Sequence, residues 1–251
     1  MRKIEIDLTQ RNDVKKYKDS NLFQHEALMQ CDQMLGDTIS NNDTAKSDKI
    51  SDCRTHNTIF ISGGRSSGKT VFLKNMENSE LLKNSGKFKF IQIIDPTLLH
   101  DDCEISSCEA FIAVILGRID EEVSAVIDAV EAKNRGNSIR NDYGKRLKDV
   151  AEALADMKDS SKESGFDAIY GKASALKLEQ YIHEYFQFIS DRIFDKKVIL
   201  LPIDDIDMAF THGFKVLEVV RRYLASPYVL TVITGDYELY QNIVEKKFKS
   251  E

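Results

Sequence analysis

Short apolar runs alternate with amphipathic stretches along most of this chain. Four runs predict buried β-strands, and they are Thr58–Ser62, Phe88–Asp95, Val198–Ile203 and Val229–Thr234. Because helical periodicity fills the sequence between the runs, the pattern predicts an α/β fold built from parallel strand–helix–strand units.

Apolar residues at three- and four-residue spacing predict the helices. The predicted helices are Leu22–Leu35, Val71–Leu82, a long helix that contains Ile112 to Val130, Lys145–Met157, Ala173–Phe194, Phe214–Leu224 and Tyr237–Phe248. Three of them lie between the second and third strands, which is long for a crossover, and we interpret residues 104–196 as a helical insertion.

The polar segment Asp37–Asn57 predicts a flexible surface loop and the best internal boundary. We therefore divide the chain into an N-terminal part, residues 1–57, and a core, residues 58–251. The N-terminal part includes a short predicted strand in which Ile4, Ile6 and Leu8 alternate with polar residues.

Composition narrows the class of protein. The chain has 251 residues, of which 42% are hydrophobic, and this is enough to form a substantial core. The net charge of −6 does not suggest a dedicated nucleic-acid binder, although a local basic groove is not excluded. The N-terminus lacks a secretory signal and no apolar run approaches the ~20 residues that span a bilayer. We expect a cytoplasmic protein without a membrane partner.

The sequence GGRSSGKT at residues 63–70 fits the phosphate-loop pattern GxxxxGK[ST]. Gly63 and Gly68 permit backbone angles that side chains forbid, so that the loop can turn its N–H groups toward a phosphate. Lys69 would reach the β- and γ-phosphates, and Thr70 would offer its hydroxyl to Mg²⁺. A Gly/Ser surface loop is the alternative. The predicted nucleotide-binding residues are Gly63, Gly64, Arg65, Ser66, Ser67, Gly68, Lys69 and Thr70.

Two later strands end in polar residues. Asp204 and Asp205 follow the third strand, where we expect Asp204 to hold Mg²⁺ and Asp205 to orient or deprotonate the attacking water. An ordinary acidic turn is the alternative. The fourth strand ends in the polar triplet Thr234, Gly235 and Asp236, and either Thr234 or Asp236 can contact the γ-phosphate or the water. For Asp236 a helix N-cap remains equally open.

This order of motifs resembles the additional-strand P-loop NTPases. Within them, IDDIDMAF at 203–210, FKVLEVVRRYL at 214–224 and ITGDYELYQNIV at 233–244 resemble the AAA+, STAND and KAP group. Several bacterial anti-phage ATPases belong to this neighbourhood, and the chain also resembles the ATPase of the RADAR defence system. The resemblance implies phosphate binding by Gly63–Thr70, metal binding by Asp204, a catalytic carboxylate at Asp205 and a sensor at Thr234 or Asp236.

The chain departs from this group in three ways. Asp205 stands where AAA+ proteins have Glu, so hydrolysis is expected to be slow or partner-dependent. Pro202 predicts a bulge or kink in the third strand. The group's fifth strand and helical lid are not recognisable, which suggests part of a longer protein.

We therefore expect an ATPase that uses Mg²⁺ and acts in a homo-oligomer, with an effector protein as its partner and phage defence as its role. The alternative is a nucleotide-gated scaffold that binds ATP and a partner with little hydrolysis. ATP is preferred over GTP because no NKxD-type guanine motif occurs.

Overall fold

A computed structural model describes residues 25–96, 108–131, 138–160, 166–206, 213–239 and 241. Its elements in chain order are α1 His25–Ala45, α2 Ile50–Cys53, β1 Thr58–Ser62, α3 Lys69–Asn78, α4 Glu80–Ser85, β2 Phe88–Phe90, α5 Cys108–Glu131, α6 Ser138–Ser160, α7 Phe166–Arg192, β3 Val198–Ile203, α8 Gly213–Tyr223 and β4 Val229–Gly235. Within these ranges, no helix is both long enough and apolar enough to cross a membrane.

The four strands form one parallel sheet in the order β1-β4-β3-β2. Strand β4 lies between β1, which precedes the Gly-rich loop, and β3, which precedes the two adjacent aspartates. This insertion of a strand between those two is the additional-strand arrangement, and it confirms the predicted parallel α/β fold. Because the carboxyl ends of parallel strands meet at one edge of the sheet, the loops that follow β1, β3 and β4 come together there.

Both faces of the sheet are covered, so every residue of β3 and β4 is buried. Val198 and Leu200 face a cluster formed with α1 and α3. Ile199, Leu201 and Ile203 face the opposite cluster, formed with α5, α7 and α8. Helices α5 and α7 of the predicted insertion therefore belong to the main core, and the boundaries 104–196 of that insertion stay a prediction.

Strand β2 is shorter than predicted because of Pro202. The Ile91 N–H donates to the Leu200 carbonyl, and in a regular parallel ladder the next bond would run from the N–H of residue 202 to Ile91. Proline has no N–H, so β2 ends at Phe90 and pairing resumes only at an isolated bridge between Ile94 and Ile203. The predicted irregularity exists, but it lies in the β2 continuation, whereas β3 itself is an unbroken strand.

Several helix bounds differ from the predicted ones. Helix α1 continues through Ala45, so the prediction of a loop was wrong for residues 37–45; Ile39 is buried there and extends the apolar stripe by one turn. Helices α6 and α7 begin earlier than predicted, at Ser138 and Phe166. The predicted strand at Ile4–Leu8 and the end of the predicted last helix lie outside the described residues.

The described residues of the N-terminal part, 25–57, pack onto the core. Leu28 and Leu35 of α1 are buried against the α3 side of the sheet. Glu179 of α7 lies between two arginines: Arg54 Nη2 donates to its Oε2 at 2.5 Å and Arg222 Nε to its Oε1 at 2.7 Å. The boundary at residue 57 stays a prediction.

His183 of α7 is a second link between these parts. It is 1% exposed, its Nε2 lies 2.9 Å from the Ser47 carbonyl oxygen and its Nδ1 lies 3.0 Å from Ser226 Oγ. This geometry fits a neutral ring that donates from Nε2 and accepts at Nδ1. Burial lowers the pKa of His183 below its ordinary value of 6.5, against a smaller opposing effect of the Ser47 carbonyl.

This histidine predicts a pH dependence of stability. Because the unfolded chain takes up a proton at a higher pH than the folded chain, the free energy of unfolding falls as the pH drops below about 6.5, by up to about 1.4 kcal/mol per pH unit. Urea denaturation between pH 8 and pH 5 measures it. His183→Gln should flatten the dependence, whereas His56→Gln, at an exposed position, should not. Equal slopes in wild type and His183→Gln would contradict the prediction.

Candidate functional site

The Gly-rich loop after β1 has the backbone that its glycines predict. Gly68 is left-handed, with φ of 87°, and it caps α3 by accepting the Phe72 N–H at 2.8 Å. A Cβ added to Gly63 would collide with Ser67 Oγ, and the Gly63 N–H donates to the Gly235 carbonyl at 3.0 Å. The loop is thus fixed to the end of β4. The left-handed φ of Gly68 favours glycine there, and a side chain at Gly63 would force Ser67 to move.

Lys69 is the most enclosed charged group of the loop. Its side chain is 7% exposed, and its Nζ donates to the carbonyls of Gly63 at 2.9 Å and Gly64 at 3.2 Å. The same Nζ lies 3.6 Å from Asp205 Oδ1. The ammonium group therefore lies between the loop and the end of β3, where a phosphate held by the loop would meet it.

Polar side chains lie at the carboxyl ends of β3 and β4, at the same level. Asp204 and Thr234 are both buried, and Thr234 Oγ1 donates to Asp204 Oδ1. The Asp205 N–H lies 3.1 Å from both Asp204 Oδ1 and Thr234 Oγ1. These contacts bring together three of the predicted site residues, next to Lys69.

Asp205 has a left-handed backbone, with φ of 46°. Aspartate and asparagine adopt this conformation more readily than most residues do. The conformation turns the chain sharply after β3 and aims the Asp205 carboxylate at the phosphate loop. Sequence reasoning placed this acid at the strand end but gave no sign of the turn.

Asp236 occupies the position of a helix cap. Its Oδ1 accepts the N–H groups of Glu238 at 3.1 Å and Leu239 at 3.2 Å, which is the N-cap geometry left open by the sequence. Of the two sensor candidates, Thr234 is the one that contacts Asp204.

A cleft of about 460 Å³ opens beside the loop. Its walls belong to α3, to the segment after β2 and to the end of β3, and the residues that line it are Thr70, Lys74, Asn75, Glu77, Asn78, Gln92, Ile93, Asp95 and Asp204. Thr70 and Asp204, the two predicted metal ligands, thus share one cavity. Asp95 was not among the predicted site residues, although its position as the last residue of a predicted apolar strand was a signal for it.

The residues of the site fit a nucleotide phosphate with Mg²⁺. Gly63 leaves space in the loop that a Cβ would fill, Gly68 supplies the left-handed turn before α3, and Lys69 supplies a buried cation. A threonine hydroxyl and a carboxylate are oxygen ligands of the kind that Mg²⁺ prefers, together with substrate phosphates and water. Among the described residues, no group of three or more His, Cys, Asp or Glu is placed to hold a metal by itself.

Comparison with known proteins agrees with this geometry. The sequence model of the KAP family P-loop domain matches residues 41–251, a range that includes the whole site and begins before the predicted boundary at residue 57. No curated protein matches the chain. P-loop NTPases bind nucleotide with Mg²⁺, so the match supports nucleotide binding in general. It does not support the narrower resemblance to the RADAR ATPase.

Proposed function

We propose that this chain, which belongs to the KAP family of P-loop NTPases, binds ATP with Mg²⁺ and hydrolyses it. The observation that carries the proposal is the meeting of the phosphate loop with the β3 and β4 ends, where Lys69 Nζ lies 3.6 Å from Asp205 Oδ1. Membership in a P-loop NTPase family supports nucleotide binding and NTPase chemistry in general. The preference for ATP rests on the lack of an NKxD-type guanine motif in the sequence.

In this proposal the loop N–H groups of Gly63–Thr70 and the N-terminal end of α3 bind the phosphates. Lys69 neutralises charge on the terminal phosphate, and Thr70 and Asp204 hold the metal. Bound Mg²⁺ supplies charge neutralisation on the β- and γ-phosphate oxygens. Thr234 keeps the Asp204 carboxylate in place by the hydrogen bond that it donates.

Asp205 is proposed to orient the attacking water and accept its proton. In the structure its carboxylate pairs with Lys69, and in this proposal it competes with a bound phosphate for the same ammonium group. Aspartate is also shorter than the glutamate of AAA+ proteins. We therefore propose that turnover by the isolated chain is slow and that a partner increases it.

The pair between Lys69 and Asp205 also favours a second candidate function. A nucleotide-gated scaffold would exchange this internal pair for the bound phosphate and would thereby change the loops at the strand ends, with little hydrolysis. Action in a cytoplasmic homo-oligomer with an effector protein, and a role in anti-phage defence like that of the RADAR ATPase, remain proposals that rest on the resemblance of the motifs.

Two measurements on the wild-type chain separate these functions. ATP affinity is measured by isothermal titration with and without Mg²⁺, and turnover by phosphate release. Binding with measurable turnover is expected for an ATPase, and tight binding with negligible turnover would favour the scaffold. If the chain does not bind ATP at all, both functions are wrong.

A further inference from the structure

Asp95 and Asp204 lie at matching positions on neighbouring strand segments. Ile94 pairs with Ile203 in parallel: the Ile94 N–H donates to Pro202 at 3.0 Å, and the Asp204 N–H donates to Ile94 at 2.8 Å. Each aspartate is the next residue after its member of this pair. Adjacent strands are about 4.8 Å apart, so the two residues are close neighbours across the sheet.

An extra residue in the β2 continuation creates this match. From the pair Phe90–Leu200 to the pair Ile94–Ile203, the β2 side advances four residues and the β3 side three. Such a bulge changes which face of the sheet the following side chains occupy. Pro202 lowers the free-energy cost of the bulge, because it has no N–H with which to continue the regular ladder.

The two carboxylates consequently share the α3 face. Ile94 and Ile203 belong to the opposite core cluster, so that the residues that follow them turn toward α3. Asp95, Asp204 and Thr70 all line the same cleft. Thr234 continues the row on β4, where its neighbour Ile233 pairs with Ile203.

Two neighbouring carboxylates repel each other, and a cation close to both of them lowers this repulsion. The phosphate loop lies next to these two carboxylates, and in the proposed function Mg²⁺ binds there together with the nucleotide. Mg²⁺ usually keeps several water ligands, and carboxylates that accept hydrogen bonds from those waters strengthen its binding.

We propose that Asp95 is a positioning residue that accepts hydrogen bonds from the water ligands of Mg²⁺, opposite Asp204. This inference rests on the proposed function, since it requires that ATP and Mg²⁺ bind at this loop. Asp95 acts on the metal through water and contacts neither the nucleotide nor the attacking water. Its contribution is therefore to Mg²⁺-dependent binding, and not to metal-free binding of ATP.

The test is the Mg²⁺ dependence of ATP binding in Asp95→Asn, which removes the charge and keeps the shape of the side chain. A fluorescent ATP analogue is held at a fixed concentration while MgCl₂ is titrated. The Mg²⁺ concentration for half-maximal binding should rise roughly tenfold. Affinity for the analogue in EDTA should be unchanged or tighter, because a negative charge near the phosphates has been removed.

Glu77→Gln is the matched control, because Glu77 lines the same cleft from α3. It should leave the Mg²⁺ titration unchanged, and Asp95→Glu should be closer to wild type than Asp95→Asn is. An unchanged titration in Asp95→Asn would overturn the inference, as would an equal loss of affinity with and without Mg²⁺. Failure of the wild-type chain to bind the analogue would instead overturn the proposed function on which the inference rests.

Discussion

Replacement of Lys69 by alanine should lower the affinity for ATP–Mg²⁺ by about 100-fold or more. Lys69 is held at the end of the loop, with Nζ on the carbonyls of Gly63 and Gly64 and near Asp205. Hydrogen bonds from a charged donor to a phosphate contribute about 1.5–3 kcal/mol each. Two of them account for about 3 kcal/mol or more, which is at least a factor of 100 in the dissociation constant.

Lys74→Ala is the control for this prediction. Lys74 is on the same helix and lines the cleft beside the loop, but its side chain is exposed. Titration calorimetry with ATP and MgCl₂ should give an affinity within about threefold of wild type for this variant, since exposed charges contribute little. Similar affinities for Lys69→Ala and the wild-type chain would contradict the assignment of the loop as the phosphate site.

The sequence predicted the sheet well because the physical signal is local. Strands buried on both faces are continuous apolar runs, and the positions of β1, β3 and β4 follow directly from them. The phosphate loop is equally local, because its glycines serve a backbone turn within eight residues. The resemblance of the motifs then supplied the additional-strand order, which no run of apolar residues specifies by itself.

The structural features that the sequence did not predict depend on contacts between segments that are distant along the chain. The length of β2 is set by Pro202, more than a hundred residues away in the sequence. Asp95 joins the cleft only because of the extra residue that this proline permits. Helix α1 continues through residues 37–45, where Ile39 is buried in the apolar cluster that covers this face of the sheet, and this overrides the polar composition that predicted a loop.

The sequence predicted which residues lie at the strand ends, but it did not predict how their side chains and backbone are arranged. Sequence reasoning placed Asp204, Asp205 and Thr234 at the right strand ends, because parallel strands bring their carboxyl ends together. It did not reveal that Asp205 has φ of 46° or that its carboxylate pairs with Lys69. An ion pair between side chains of two different loops leaves no periodic pattern in the sequence. Only the three-dimensional structure reveals it.

Asp205→Asn should bind ATP more tightly than the wild-type chain while losing most turnover. The substitution removes the ion pair with Lys69, which competes with the phosphates for the same ammonium group. Since Asp205 is 37% exposed, this pair contributes only about 0.5–1 kcal/mol, and the affinity should rise about two- to fivefold. Loss of a general base typically lowers a rate by about 10²- to 10⁴-fold, so phosphate release should fall by at least 100-fold.

Asparagine is the right replacement because it tolerates a left-handed backbone. Alanine at φ of 46° would add strain of about 1–2 kcal/mol, and its effect on stability would be mixed with the effect on the ion pair.

Asp195→Asn is a closely matched control: it has the same chemistry, a left-handed φ of 52° and an exposed position before β3, at the opposite end of that strand. It should leave affinity and turnover unchanged. If Asp205→Asn keeps turnover within about threefold of wild type, the proton acceptor is another group. If its ATP affinity falls, the Lys69–Asp205 pair does not compete with nucleotide.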